Sequence, residues 1–171
     1  MSNSGTVLVE TIGLKKHFPA GKRKLHAVDG VDLRIERGST LGVVGESGCG
    51  KTTLGRTILG LLPATDGKIL FEGRDVTHCD KKQFKAMRRE MQIIFQDPYS
   101  SINPRHSIKK TIAEPLLVNG IICDRHQREE RVRELMETVG LARRLENSYP
   151  HELDGGRRQR VGIARALAVN P

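Results

Sequence analysis

The sequence predicts an α/β fold in which a strand-rich N-terminal region leads through a glycine-rich loop into a helix and then into a helical subdomain. Three observations carry this expectation. Val31, Leu33 and Ile35 alternate with Asp32, Arg34 and Glu36, the period-two pattern of a half-buried strand. A glycine-rich stretch, Gly45–Gly50, stands between the apolar run Thr40–Val44 and the residues Leu54, Ile58, Leu61 and Leu62, which recur at i, i+4, i+7 and i+8. Beyond Gln96, Val132, Leu135, Met136 and Val139 mark one face of a charged helix that stops at Gly140.

Taken in order, Val7–Ile12 is β-rich and the strand through Ile35 closes at Arg37-Gly38. Thr40–Val44 reads as a short buried strand, Gly45–Gly50 as a loop and Leu54–Leu62 as an amphipathic helix. Residues 63–67 break that helix, Lys68–Phe71 resembles an edge strand, and Met91–Phe95 is a second buried-strand candidate leading into Gln96. Asp97–Pro104 is turn-rich, and a last helix runs from about Gly156 to Ala168 with Val161, Ala164 and Leu167 inward. The organisation expected is a core over 1–96 that contains the glycine-rich loop, a helical subdomain over 97–150, and a final segment over 151–171.

At 171 residues, 37% hydrophobic and 29% charged, the chain falls in the ordinary globular range and is long enough for one domain. No run approaches the roughly 18 apolar residues of a membrane-spanning helix, and the N-terminus lacks the layout of a signal peptide. Cys49, Cys79 and Cys123 lie far apart with no Cys-x-x-Cys pair, so they read as free thiols. The six histidines, among them His17, His78 and His126, show no ligand spacing and read as surface or packing residues. A net charge of +9 raises nucleic acid as a partner. The positive residues fall in scattered clusters, partly mixed with acidic ones, and aromatics reach only 4%, so a solvated basic surface is the reading and no nucleic acid is expected.

Gly45-Glu46-Ser47-Gly48-Cys49-Gly50-Lys51-Thr52 fits G-x-x-x-x-G-K-[ST], a phosphate-binding loop. Glycines let backbone N–H groups curl around a phosphate, and the helix that follows points its positive end at the same anion. Lys51 would reach the β- and γ-phosphates and the Thr52 hydroxyl would bind Mg²⁺. With glycine near 7% of an average chain, such a match arises by chance in well under about one chain in a hundred.

Two further stretches narrow the class. Ile93-Ile94-Phe95-Gln96-Asp97-Pro98 resembles the glutamine loop of ATP-binding-cassette (ABC) ATPases. Tyr149–Arg160, continuing into Val161–Leu167, resembles their signature segment. Asp97–Arg105, Ile112–Leu116 and Ala27–Val31 are similar to the oligopeptide, dipeptide and nickel importer branch of that family. The resemblance implies an ABC-type P-loop NTPase core with an N-terminal antiparallel β region and an inserted helical subdomain, incomplete at the C-terminus. It implies ATP and Mg²⁺ as cofactors and places Phe18 where an aromatic stacks on adenine. Nucleotide contacts then fall on Phe18 and on Gly45, Glu46, Ser47, Gly48, Cys49, Gly50, Lys51, Thr52 and Thr53. Lys51 and Gln96 carry catalysis, and Thr52 and Gln96 the Mg²⁺ environment. The signature residues Leu153, Asp154, Gly155, Gly156 and Arg157 would act in trans, on ATP bound to the opposite subunit of a head-to-tail dimer.

The signature usually reads Leu-Ser-Gly-Gly-Gln in the family, and here it reads Leu153-Asp154-Gly155-Gly156-Arg157. Asp caps a helix as well as Ser does, so the structure should survive. A carboxylate facing phosphate at 4 Å nevertheless meets a repulsion of about 4 kcal/mol per unit charge pair at an effective dielectric of 20. Arg157, within one helical turn, offers a compensating charge. The composite site is therefore expected to be altered or weakened. Family members also continue into an apolar strand ending in Asp-Glu and then a switch histidine, so the chain reads as part of a longer one and is expected to lack turnover alone.

The resemblance implies an importer's ATPase subunit on the cytoplasmic face of the cell membrane. Its partners would be a second ABC subunit, identical or not, transmembrane permease subunits and, indirectly, an extracytoplasmic solute-binding protein. The alternative is a soluble, non-transport ABC ATPase.

Overall fold

A computed structural model describes residues 6–96 and 101–171. Within the turn-rich Asp97–Pro104 stretch, residues 97–100 lie outside the described part. The chain forms two compact units, Met1–Lys85 and Ala86–Pro171.

The first unit is built on a hairpin of two long strands, β1 (Val7–Ala20) and β2 (Arg23–Glu36). Ala20 pairs with Arg23 across the turn Gly21-Lys22, where Gly21 takes φ 61°, a corner that favours glycine. The strands run well beyond the stretches their alternation marks, because Lys16, Phe18, Leu25 and Val28 continue the ladder where the pattern is less regular. β3 (Asp66–Phe71) pairs antiparallel with the other side of β1, and the two-residue β4 (Arg74–Asp75) follows it, giving the order β2-β1-β3-β4. Lys68–Phe71 is thus an inner strand and not the expected edge. Its Ile69 N–H donates to Thr77 Oγ1 at 2.8 Å, which finishes the ladder with a side chain.

Two expected strands do not form. Thr40–Val44 is irregular, with Val43 51% and Val44 96% exposed, and Met91–Phe95 is likewise irregular. A strand is held by the hydrogen bonds of a neighbour, and neither run finds a ladder partner among the described residues. Apolar character alone cannot supply one.

Helix α1 (Lys51–Ile58) is also shorter than its periodicity suggests. Gly60, at φ 63°, ends it: the Gly60 N–H bonds Thr57 O and the Leu61 N–H bonds Arg56 O, the paired closure of a Schellman motif. Leu61 and Leu62 therefore leave the helix. Helix α2 (Lys81–Glu90) brings Phe84 against this corner, where a Cβ on Gly60 would fall 1.9 Å from Phe84 Cε1.

The second unit contains α3 (Ile108–Val118), α4 (Arg125–Thr138) and α5 (Gly155–Leu167). Ser107, Asp124 and Asp154 cap their N-termini by accepting backbone N–H groups. Gly120 and Gly140 close α3 and α4 with the Schellman pattern already seen at Gly60. One core joins them: Ile108, Ile112, Leu116, Val132, Met136, Val161 and Ala164 are essentially solvent-free, with Leu167 packed partly buried against them. Each large apolar side chain so buried contributes about 1.5–3 kcal/mol. Val132, Leu135 and Met136 face inward as their spacing predicts, and Val139 packs at the rim.

Candidate functional site

The loop between Val44 and α1 owes its shape to its glycines. Gly48 and Gly50 adopt φ 84° and 98°. A Cβ on Gly50 would lie 2.1 Å from the Ala27 carbonyl oxygen of β2, so only glycine lets the loop lie against that strand. At Gly45 a Cβ would meet Cys49 Sγ at 2.8 Å. The loop is otherwise exposed, and its backbone is open to a ligand.

Gly50 serves as the N-cap of α1 and offers no side chain, so no cap oxygen occupies the N–H groups of the first turn. That turn holds no acidic residue either. The Lys51 ammonium folds back onto the loop, donating to Gly45 O at 2.8 Å and Glu46 O at 2.6 Å and approaching Cys49 Sγ at 3.5 Å. Thr52 is exposed on the first turn and Thr53 half-buried, its carbonyl accepting from Thr57 Oγ1 at 2.8 Å. A cation, a positive helix end and uncapped N–H groups thus stand together on one exposed loop. This is what an anion with several oxygens requires.

Phe18 is a half-buried residue of β1 paired with Leu25, and the Lys16 ammonium stands 5.0 Å from its ring centroid. It belongs to the first unit, as does the loop.

Gln96 and the segment Leu153–Arg157 belong to the second unit. Gln96 is exposed on a bend after Phe95, whose carbonyl accepts from Gln159 Nε2 of α5 at 3.5 Å. Leu153 is buried in the helical core and anchors the start of α5. Asp154 caps that helix, accepting the Arg157 N–H at 2.7 Å, and the Arg157 Nε lies 3.4 Å from its other oxygen. Added Cβ atoms would meet nothing at Gly155 and only Asp154 Oδ1, at 3.6 Å, at Gly156. Neither glycine is demanded by space or by a positive φ; what their smallness does is leave the backbone of the first turn bare for something to approach.

Two groupings were not visible in the linear sequence. Arg144, Arg157 and Arg160 line a cleft of about 300 Å³ beside the α5 N-terminus, with Arg160 Nη1 held on Gly140 O at 2.9 Å. The i, i+3 spacing of Arg157 and Arg160 was the available signal, but Arg144 comes from the short turn after α4. The other grouping, His17, His26 and Asp29, depends on strand register.

With this geometry in hand, comparison with known proteins decides the family. The sequence profile of the ABC transporter family matches residues 28–171. The chain belongs to that family. Among curated ABC relatives it is 50% identical over 165 residues to the oligopeptide transport ATP-binding protein OppF of Bacillus subtilis, covering 96% of this chain and 54% of that protein. It is 48% identical over 174 residues to OppF of Escherichia coli, covering 96% and 52%, and 43% identical over 170 residues to the dipeptide transport ATP-binding protein DppF of the same species, covering 96% and 51%. The chain thus spans about half the length of the curated relatives it matches. Among solved ABC structures, the dimeric post-hydrolysis state of the ATP-binding cassette MJ0796 bound to ADP and Pi superposes with a TM-score of 0.87 at 29% identity, covering 96% of this chain and 71% of that one. No helix among the described residues is long and apolar enough to cross a membrane.

Proposed function

We propose that this chain is the nucleotide-binding part of an ABC importer ATPase subunit that energises uptake of oligopeptides, dipeptides or a related solute. The observation that carries the reading is the Gly45–Thr52 loop, where glycine-shaped backbone, an uncapped helix start and Lys51 converge. ATP would seat its β- and γ-phosphates there, Lys51 turning from the Gly45 and Glu46 carbonyls to the phosphate oxygens. Phe18 would stack on the base once Lys16 moves off its ring. The identity to OppF and DppF proteins supports peptides as the solute class.

By the family resemblance the Thr52 hydroxyl and the Gln96 amide oxygen would each offer Mg²⁺ a hard oxygen ligand, of the kind it accepts while keeping several waters. When bound, Mg²⁺ would neutralise charge developing on the β- and γ-phosphate oxygens. Asp154, Gly155, Gly156 and Arg157 would face the γ-phosphate held by a second cassette, and the carboxylate of Asp154 would weaken that contact. The subunit would work at the cytoplasmic face of the membrane with that second cassette, with permease subunits and, indirectly, with a solute-binding protein.

Titration with a fluorescent ATP analogue tests the site. Saturable binding by the wild-type chain should weaken roughly 10- to 150-fold in Lys51→Ala, the loss of one charge-assisted contact of about 1.5–3 kcal/mol. Equal binding by both proteins would overturn the assignment. Uptake of a labelled tripeptide by cells carrying the full-length protein and its permease should fall to background with Lys51→Ala, and unchanged uptake would overturn the transport reading.

A further inference from the structure

The hairpin carries a second cluster of chemistry away from the phosphate loop. His17 of β1 stands directly across from His26 of β2, and their rings stack with centroids 3.8 Å apart and planes 17° from parallel. Asp29 reaches both: Oδ1 lies 3.3 Å from His17 Nε2 and Oδ2 lies 3.0 Å from His26 Nδ1. One nitrogen from each ring and one carboxylate oxygen lie within 4.8 Å of one another.

Regular β geometry would not build this cluster. Residues three apart in a strand point to opposite faces, so His26 and Asp29 should diverge. The register is broken between them: Lys16 pairs with Val28 while His17 pairs with His26, which leaves Ala27 as an extra residue on β2. A further step in register separates the Leu14–Val31 pair from the Lys16–Val28 pair, with Gly30 at φ 66° inside it. These irregularities turn Asp29 back to the face of His26. The same Ala27 carbonyl lies against Gly50, so the distortion that gathers the three side chains also supports the phosphate loop from behind.

We propose that His17, His26 and Asp29 form a binding site for a divalent transition-metal ion such as Zn²⁺, Co²⁺ or Ni²⁺. A tetrahedral ion with bonds of about 2.0–2.1 Å holds its donors about 3.3 Å apart, so the donors, now within 4.8 Å of one another, would draw together and the two rings would turn out of their stack to aim both lone pairs at the ion. Two imidazoles and a carboxylate are a donor set for these metals, and the exposure of His26 and Asp29 leaves positions open to water. His17 is the more enclosed ligand, its side chain 14% exposed. On binding, the two imidazole contacts to Asp29 give way to metal bonds and any proton on the ligating nitrogens is released. The ion would tie β1 to β2 on the strand positions next to Phe18 and Ala27.

The test is a Co²⁺ and Zn²⁺ titration of the untagged chain beside His26→Gln, Asp29→Asn and the double variant His17→Gln/His26→Gln. His26 and Asp29 are exposed, so these variants should fold, and circular dichroism verifies it. The expected result is one equivalent of Co²⁺ bound without sulfur charge-transfer bands, with affinity falling about tenfold or more in each single variant. Zn²⁺ should raise the melting temperature of the wild type and not of the double variant. Binding equal in wild type and double variant would overturn the site, as would a cobalt spectrum dominated by thiolate bands, which would place the ion on Cys49, Cys79 or Cys123.

Discussion

Arg157 lies against the residue that caps its own helix: its N–H reaches one oxygen of Asp154 at 2.7 Å while its guanidinium Nε stands 3.4 Å from the other. The backbone bond is the structural one, since an exposed ion pair contributes little. Asp154→Ala should lower stability by about 1 kcal/mol and Asp154→Ser by only a few tenths, read from urea unfolding. In a two-cassette assembly, Asp154→Ser with Arg157→Gln should raise turnover at the site facing this signature. Unchanged turnover would remove any role for Asp154 in weakening it.

Gly60 has two reasons to be glycine, its φ of 63° and the Phe84 ring where a Cβ would go. Gly60→Ala should cost about 2 kcal/mol or more, from left-handed backbone strain plus overpacking. In Gly60→Ala/Phe84→Leu the packing part should be partly relieved. Thermal melts of the two proteins separate these contributions.

Met136 is fully buried where α3, α4 and α5 meet. Met136→Ala should destabilise the helical unit by about 2–5 kcal/mol through lost burial and the cavity left behind. Leu117, 52% exposed on α3, is the control, and Leu117→Ala should leave the urea midpoint nearly unchanged.

Hydrogen bonds from the Thr77 hydroxyl at 2.6 Å and the Thr77 N–H at 2.9 Å hold the Asp75 carboxyl below the usual carboxylate range. A group whose folded pKa is depressed contributes stability that is full above its unfolded value near about 4 and drains away as pH falls through the folded value. Acid unfolding of Asp75→Asn should therefore be flatter below about pH 4 than that of the wild type. Parallel acid limbs would show that Asp75 has no part in it.

Cys49 is exposed inside the glycine loop, and Cys123 is exposed far along the chain. N-ethylmaleimide should alkylate both in the free protein, and saturating ATP should slow modification of Cys49 alone. Mass spectrometry of the two peptides reads the ratio, with Cys123 as internal control.

The glycine loop, the helix faces of the second unit and the Asp154 cap were legible in the sequence because each is local: a handful of consecutive residues sets φ, a cap or a period. Thr40–Val44 and Met91–Phe95 misled for the complementary reason. Their apolar runs carry the composition of strands, but a strand exists only with a partner, and composition says nothing of partners. Leu61 and Leu62 fit the helical period yet fall past Gly60, where the left-handed turn overrides it. The His17, His26 and Asp29 cluster was invisible because it depends on an extra residue at Ala27, and a one-residue slip reverses which side chains share a face.

Besides Arg160, which takes the carbonyl of Gly140, helix α5 carries two more side chains that hold backbone elsewhere in its unit: Gln159 takes the carbonyl of Phe95, and Arg165 takes the carbonyl of Ser101 at 2.6 Å. They stand on either side of residues 97–100, and their anchors are less than two helical turns apart on the same rod. A rotation of α5 that keeps both bonds moves the two carbonyls together, as two points on one crank.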